Sequence, residues 1–95
     1  MNNTLRKQVN KEVTVTSMYF SSSRRQMQAF PKRIELEGTE YTFVESGFRY
    51  LVKKGQRLVE LFDMTDGTNN YRLKFDNTER IWTLVGMNEL PRAMA

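Results

Sequence analysis

Two residue types are missing from this 95-residue chain: it contains no cysteine and no histidine. Without thiols there is no disulfide framework, no thiolate nucleophile and no cysteine-based zinc site. Without imidazole there is no Ser-His-Asp triad and no His-based acid–base pair. Any catalysis would fall to Asp, Glu, Lys, Arg, Tyr or the backbone, so the chain is read as a non-enzyme with no metal and no cofactor. Prolines number only two and glycines five, which makes each one a marked punctuation point. No apolar run approaches the ~18 residues of a membrane span. The start of the chain also lacks the roughly 7–15-residue apolar segment of a secretory signal. The expected compartment is therefore the cytoplasm, with no membrane partner.

What is present fits one small globular domain. Hydrophobic residues make up 39% of the chain and aromatics 12%, enough to line a core, while 27% are charged. The formal charge of +4 is unevenly spread. Residues 1–33 hold seven basic residues against the single acid Glu12, a net +6. Residues 34–95 hold eight basic and ten acidic residues, a net −2. A one-signed field on part of a surface attracts polyanions, provided folding gathers its members. Solvation of a tail and a loop is the competing explanation.

The strand pattern dominates. In KEVTVTSMYF, Val13 and Val15 alternate with Thr14 and Thr16, all β-branched. KRIELEG, EYTFVES, FRYLVKK, RLVELFDM, YRLKF and ERIWTLVGM follow, separated by turn formers at Gly38-Thr39, Ser46-Gly47, KKGQ, DGTNN and Asp76-Asn77. About six to seven short strands at roughly 8–12-residue spacing predict an all-β fold: a small antiparallel meander forming a roll or partly open barrel. Residues 1–10 read as a flexible start, 11–87 as the single β domain and 88–95 as a flexible tail.

The stretch SSSRRQMQAFPKR, residues 21–33, is the least regular. Ser23 and Gln26 have capping-box spacing, and Met27 and Phe30 would share a helical face that Pro31 ends. One short helix near residues 23–29 is compatible with this, and so is an irregular loop, because Arg24 and Arg25 oppose the dipole of a first helical turn.

Three features bear on function. DMTDGTNN crowds carboxylates and amides, but counting from Asp63 the calcium-loop register fails, with Gly67 at the fifth position and Lys74 at the twelfth. A hairpin loop bending at Asp66-Gly67 explains it. FRYLVKKGQR holds four basic residues and no acid, with Phe48 and Tyr50 interleaved. Exposed, this is the chemistry of a nucleic-acid-binding face; with Phe48 and Tyr50 in the core, the lysines only guard a strand edge. Trp82 is a core or rim anchor, or, if exposed, a hot spot for a partner.

Pro31-Lys32-Arg33-Ile34, Gly38, Tyr41-Thr42-Phe43, Tyr71-Arg72-Leu73 and Trp82-Thr83-Leu84 together resemble small uncharacterised bacterial β-domains of the DUF6504 type. The resemblance spans about sixty residues and implies a β-rich fold. Relatives of that family associated with translesion-type DNA polymerases would imply a repair or nucleic-acid context. This chain departs from the family pattern in lacking a Trp near Ile34-Glu35-Leu36 and in a shorter central segment.

The expected function is a non-enzymatic binding module whose basic surface contacts DNA or RNA mainly through phosphates. The candidates are Arg24, Arg25, Lys32, Arg33, Lys53, Lys54 and Arg57. The alternative is a protein–protein adaptor using a sheet edge or an aromatic patch, with Trp82 and Tyr50 as interaction candidates. An enzyme would instead need a pocket converging on Asp63, Asp66, Tyr71 or a perturbed lysine.

Overall fold

A computed structural model describes residues 7–23 and 26–89, with side chains for residues 7–20 and 28–88. Arg24 and Arg25 lie outside the described residues, as do residues 1–6 and 90–95 of the expected start and tail. Seven antiparallel strands are present: β1 (Lys7–Ser23), β2 (Gln26–Leu36), β3 (Thr39–Thr42), β4 (Glu45–Lys54), β5 (Arg57–Thr65), β6 (Asn69–Asp76) and β7 (Ile81–Glu89). They form one sheet in the order β3-β2-β1-β7-β6-β5-β4. The all-β meander read from the sequence is thus the fold, and strand β1 opens at Lys7, ahead of the Lys11 start expected.

The short helix near residues 23–29 is not formed: Ser23 pairs with Gln26, Ser22 with Met27 and Ser21 with Gln28. The spacing that reads as a capping box is also that of two strand residues facing each other across a tight connection. Long alternating arms on both sides decide between the two. On β1, Tyr19 points inward, and its ring stacks on Phe30 at 5.6 Å between centroids.

Strand β1 is shared between two pairings. Its first half pairs with β7, from Lys7↔Met87 to Val13↔Trp82, and its second half pairs with β2 from Thr14↔Glu35 onward. Register shifts between Val15 and Met18 mark where it changes course, since bulges bend and twist a strand. The sheet therefore curls over itself. Its two edge strands, β3 and β4, are joined by Phe43 and Val44 alone. The Phe43 N–H donates to the Lys32 carbonyl and the Val44 N–H to the Thr65 carbonyl, each at 2.8 Å. β3 and β4 are not paired, so the barrel stays open along that seam.

Every strand but β4 places residues around one core, with Phe43 entering from the β3–β4 crossing. Buried are Val13, Phe30, Ile34, Phe43, Phe62, Met64, Tyr71, Leu73 and Leu84. Each large apolar side chain buried this way stabilises the fold by about 1.5–3 kcal/mol. Cross-sheet aromatic contacts tie the curled halves together: Phe30 meets Phe62 edge-on at 6.1 Å, and Phe43 meets Tyr71 at 5.1 Å. Among the described residues there is no helix, so none is long and apolar enough to cross a membrane.

Candidate binding surface on the edge strand

β4 lies at the end of the strand order and is hydrogen-bonded only to β5 among the described residues. Its register sets which way each side chain points. Opposed pairs share a face, so Arg49↔Phe62↔Leu73↔Leu84 marks the inward face, on which the last three are buried. The outward face carries Tyr50↔Leu61↔Lys74. Along β4 that face shows Phe48, Tyr50, Val52 and Lys54.

The bulge between Ser46 and Arg49 re-aims this strand. Gly47 sits in it, where a Cβ would make a tight contact of 3.3 Å with the Asp63 carbonyl oxygen. Phe48 and Tyr50 then stack on the outside, ring centroids 6.1 Å apart at 28°. Phe48 is 70% exposed. Of the two readings of this pair, the core one is overturned. Among the described residues no second layer packs over the outer face of β4, so both rings stay exposed.

Behind the rings lies a small polar frame. Arg72 holds Asp63 through two hydrogen bonds of 2.8 and 3.0 Å, and the Arg72 guanidinium carbon sits 5.5 Å from the centre of the Tyr50 ring. The Tyr50 hydroxyl reaches Asp63 at 3.4 Å. Toward the β4–β5 turn, an open trough of about 510 Å³ is lined by the apolar Val52, Val59 and Leu61 and by the charged Lys54, Lys74, Asp76 and Glu79. Gly55 takes φ +60° at the first turn position, as the KKGQ pattern implied.

Leu51, on the opposite face of β4, is 61% exposed. β4 thus shows apolar side chains on both faces as well as an open backbone edge. Leu51 was not raised as a contact by the sequence, and Phe48 only as an aromatic interleaved with the basic residues. Their signal is the run of four consecutive positions Phe48, Arg49, Tyr50, Leu51 without an acid, too apolar for a strand covered on one face.

The basic candidates separate into two groups. Lys53, Lys54 and Arg57 flank the β4–β5 turn, with Lys54 opposite Arg57. Arg57 is engaged by Asp76 at 2.6 Å and Glu79 at 3.6 Å. Lys32 and Arg33 lie on β2 beside the Phe43–Val44 crossing, and the Arg33 Nε donates to the Thr42 hydroxyl at 3.3 Å. That crossing adjoins the Glu45↔Thr65 end of β4, whereas the turn is at the other end, up to about 30 Å of extended strand away. Among the described residues the candidates do not form one continuous patch.

Trp82 is half-buried, its ring 5.2 Å from Phe62 and 4.8 Å from Phe75, a rim anchor closing one end of the core. Asp63 and Asp66 do not converge. Asp63 faces Arg72 on the outside of the sheet, while Asp66 accepts a hydrogen bond from Tyr71 in the β5–β6 loop. No group of three acidic side chains able to hold a metal occurs among the described residues.

Fold and surface together define a small, curled antiparallel sheet whose β4 edge is open and apolar along Phe48–Val52. Comparison with protein-family models, with curated proteins and with solved structures returned no match.

Proposed function

We propose that this protein is a non-catalytic binding module that takes an extended segment of a partner protein along the open side of β4. The observation that carries the reading is the conjunction at β4: one unpaired edge, with Phe48 and Tyr50 exposed on one face and Leu51 on the other. Exposed apolar edge strands are a hazard that folds ordinarily cover, shorten or charge. An added strand supplies main-chain hydrogen bonds for affinity and side-chain contacts on both faces for specificity. The test combines capture with a variant that spares the fold. A partner retained by the native protein should be lost from Phe48→Glu/Leu51→Glu. Amide exchange of residues 46–54 should slow in the complex. Retention by the variant, or unchanged exchange, overturns the reading.

A second reading, single-stranded DNA or RNA on the same face, draws on the stacked Phe48–Tyr50 pair beside Lys54 and Lys74. It fits the resemblance to repair-associated domains. It ranks second because Arg57 and Arg72 on this face are already held by Asp76 and Asp63. Binding to mixed-sequence oligonucleotides that falls steeply with salt, and is lost on changing Lys53 and Lys54 to Ala, would reverse the order.

A further inference from the structure

The charge pattern of β4 says which segment fits its edge. Resting on the edge-strand reading above, we infer that the occupant is a partner segment running antiparallel to β4, with acidic residues at its N-terminal end followed by apolar ones. All strand pairs in this sheet are antiparallel, and antiparallel pairing is the slightly more stable kind. An antiparallel segment begins opposite Lys54 and Lys53 and ends opposite Phe48. Neither lysine is paired with an acid among the described residues, whereas Arg49 is satisfied by Glu60 at 2.7 Å. The first two positions of the segment therefore meet uncompensated positive charge, Lys54 on the outward face and Lys53 on the inward one.

The next positions meet Val52 outward, Leu51 inward and Tyr50 outward, a run that rewards apolar side chains on both faces. A second copy of this chain fits the edge less well than such a partner. Two β4 strands in full overlap about a two-fold axis put Lys54 opposite Glu45 of the other copy but leave Lys53 opposite Ser46, and no acid of β4 remains for it. The excess positive charge of the seam favours a complementary segment over a second copy.

The probe is a blocked peptide, Glu-Glu-Val-Leu-Tyr-Thr-Val, titrated into the full chain and followed by anisotropy and by amide shifts of β4. It should bind, and at least tenfold more weakly when Lys53 and Lys54 are both changed to Glu. A peptide with Lys-Lys in place of Glu-Glu should show the reverse preference, which separates recognition from damage to the fold. The reversed sequence, acids last, should bind several-fold more weakly. Equal binding of the acidic and basic peptides, with β4 shifts abolished by Leu51→Glu, overturns the acidic-partner inference and leaves the edge reading standing. Failure of every peptide to bind overturns both. Sedimentation as a dimer that Leu51→Glu dissociates assigns the edge to a second copy and also overturns the inference.

Discussion

The Tyr71 hydroxyl donates a 2.6 Å hydrogen bond to the Asp66 carboxylate, joining a buried core ring to the loop that opens β6. The same carboxylate accepts the backbone N–H groups of Thr68 and Asn69, both at 2.8 Å. Asp66 thus organises the β5–β6 connection and fastens it to a ring that packs on Phe43 and Tyr41. Tyr71→Phe keeps the packing and removes the bond. It should cost about 1 kcal/mol, lowering Tm by about 4–8 °C in a domain of this size. Asp66→Ala, which also releases two backbone donors, should cost more. Thermal denaturation of the two variants checks the order.

The same pair makes stability depend on pH at both extremes. Burial pushes the Asp66 carboxyl up, but hydrogen bonds from Tyr71, Asn69 and Thr68 outweigh it and hold the group below its ordinary 3.8. A depressed carboxylate contributes stability above its unfolded value and loses it as pH falls through the folded one. Tyr71 moves the other way: burial first, then the bond to Asp66, push it from 10.0 up to about 12. Its contribution is complete below pH 10 and is lost as pH rises toward 12. Asp66→Asn should flatten the acid limb of a stability–pH curve below pH 4. Spectrophotometric titration should show one of the four tyrosines ionising at about pH 12 or only on unfolding.

Most of the architecture was legible because strands alternate with period two and turns declare themselves. Tyr71, Leu73 and Phe75 alternate with Arg72 and Lys74, and the loop bending at Asp66-Gly67 is built as its residues imply. Residues 23–29 misled for a definite reason: a spacing of three serves a helix cap and a tight strand reversal alike, and only the partner across the gap distinguishes them. Sheet order was not legible either, since the β1–β7 pairing joins positions at opposite ends of the sequence. Edge status follows from that order. The exposure of Phe48 and Tyr50 thus could not be read from their alternation, which is the same for a buried face and a naked one.

Leu73 is fully buried between β5 and β7, opposite Phe62 and Leu84. Leu73→Ala leaves a cavity that its backbone-constrained neighbours fill poorly, and should cost about 3 kcal/mol. Urea denaturation should show a lower midpoint with an unchanged m-value. A loss under 1 kcal/mol would mean the curled halves can collapse onto the space.

The opposite result is expected at the edge. Phe48→Ser combined with Leu51→Ser removes two large apolar side chains that contribute little to the core. Stability should stay within about 0.5 kcal/mol for each substitution. Solubility at high protein concentration should rise, because the exposed apolar strand is the hazard being removed. A large fall in Tm would show that β4 is packed against something in solution.

The double use of β1 also sets the order in which the chain can assemble. The hairpins of β4, β5, β6 and β7 close over a few residues each, as at the turn between Phe75 and Trp82. Pairing Val13 with Trp82 must instead close a loop of about 70 residues, an entropic cost about 2 kcal/mol greater than for a tight hairpin. That cost is met before Val13 reaches the core, so the closing of β1 onto β7 is the slow, non-local step of folding. Until it happens, β7 is itself an open edge beside a growing sheet. A sheet that ends with β3 and β4 as its edges thus passes through a stage with a further edge exposed at β7, and its vulnerability to misassembly is a matter of rate as well as of surface.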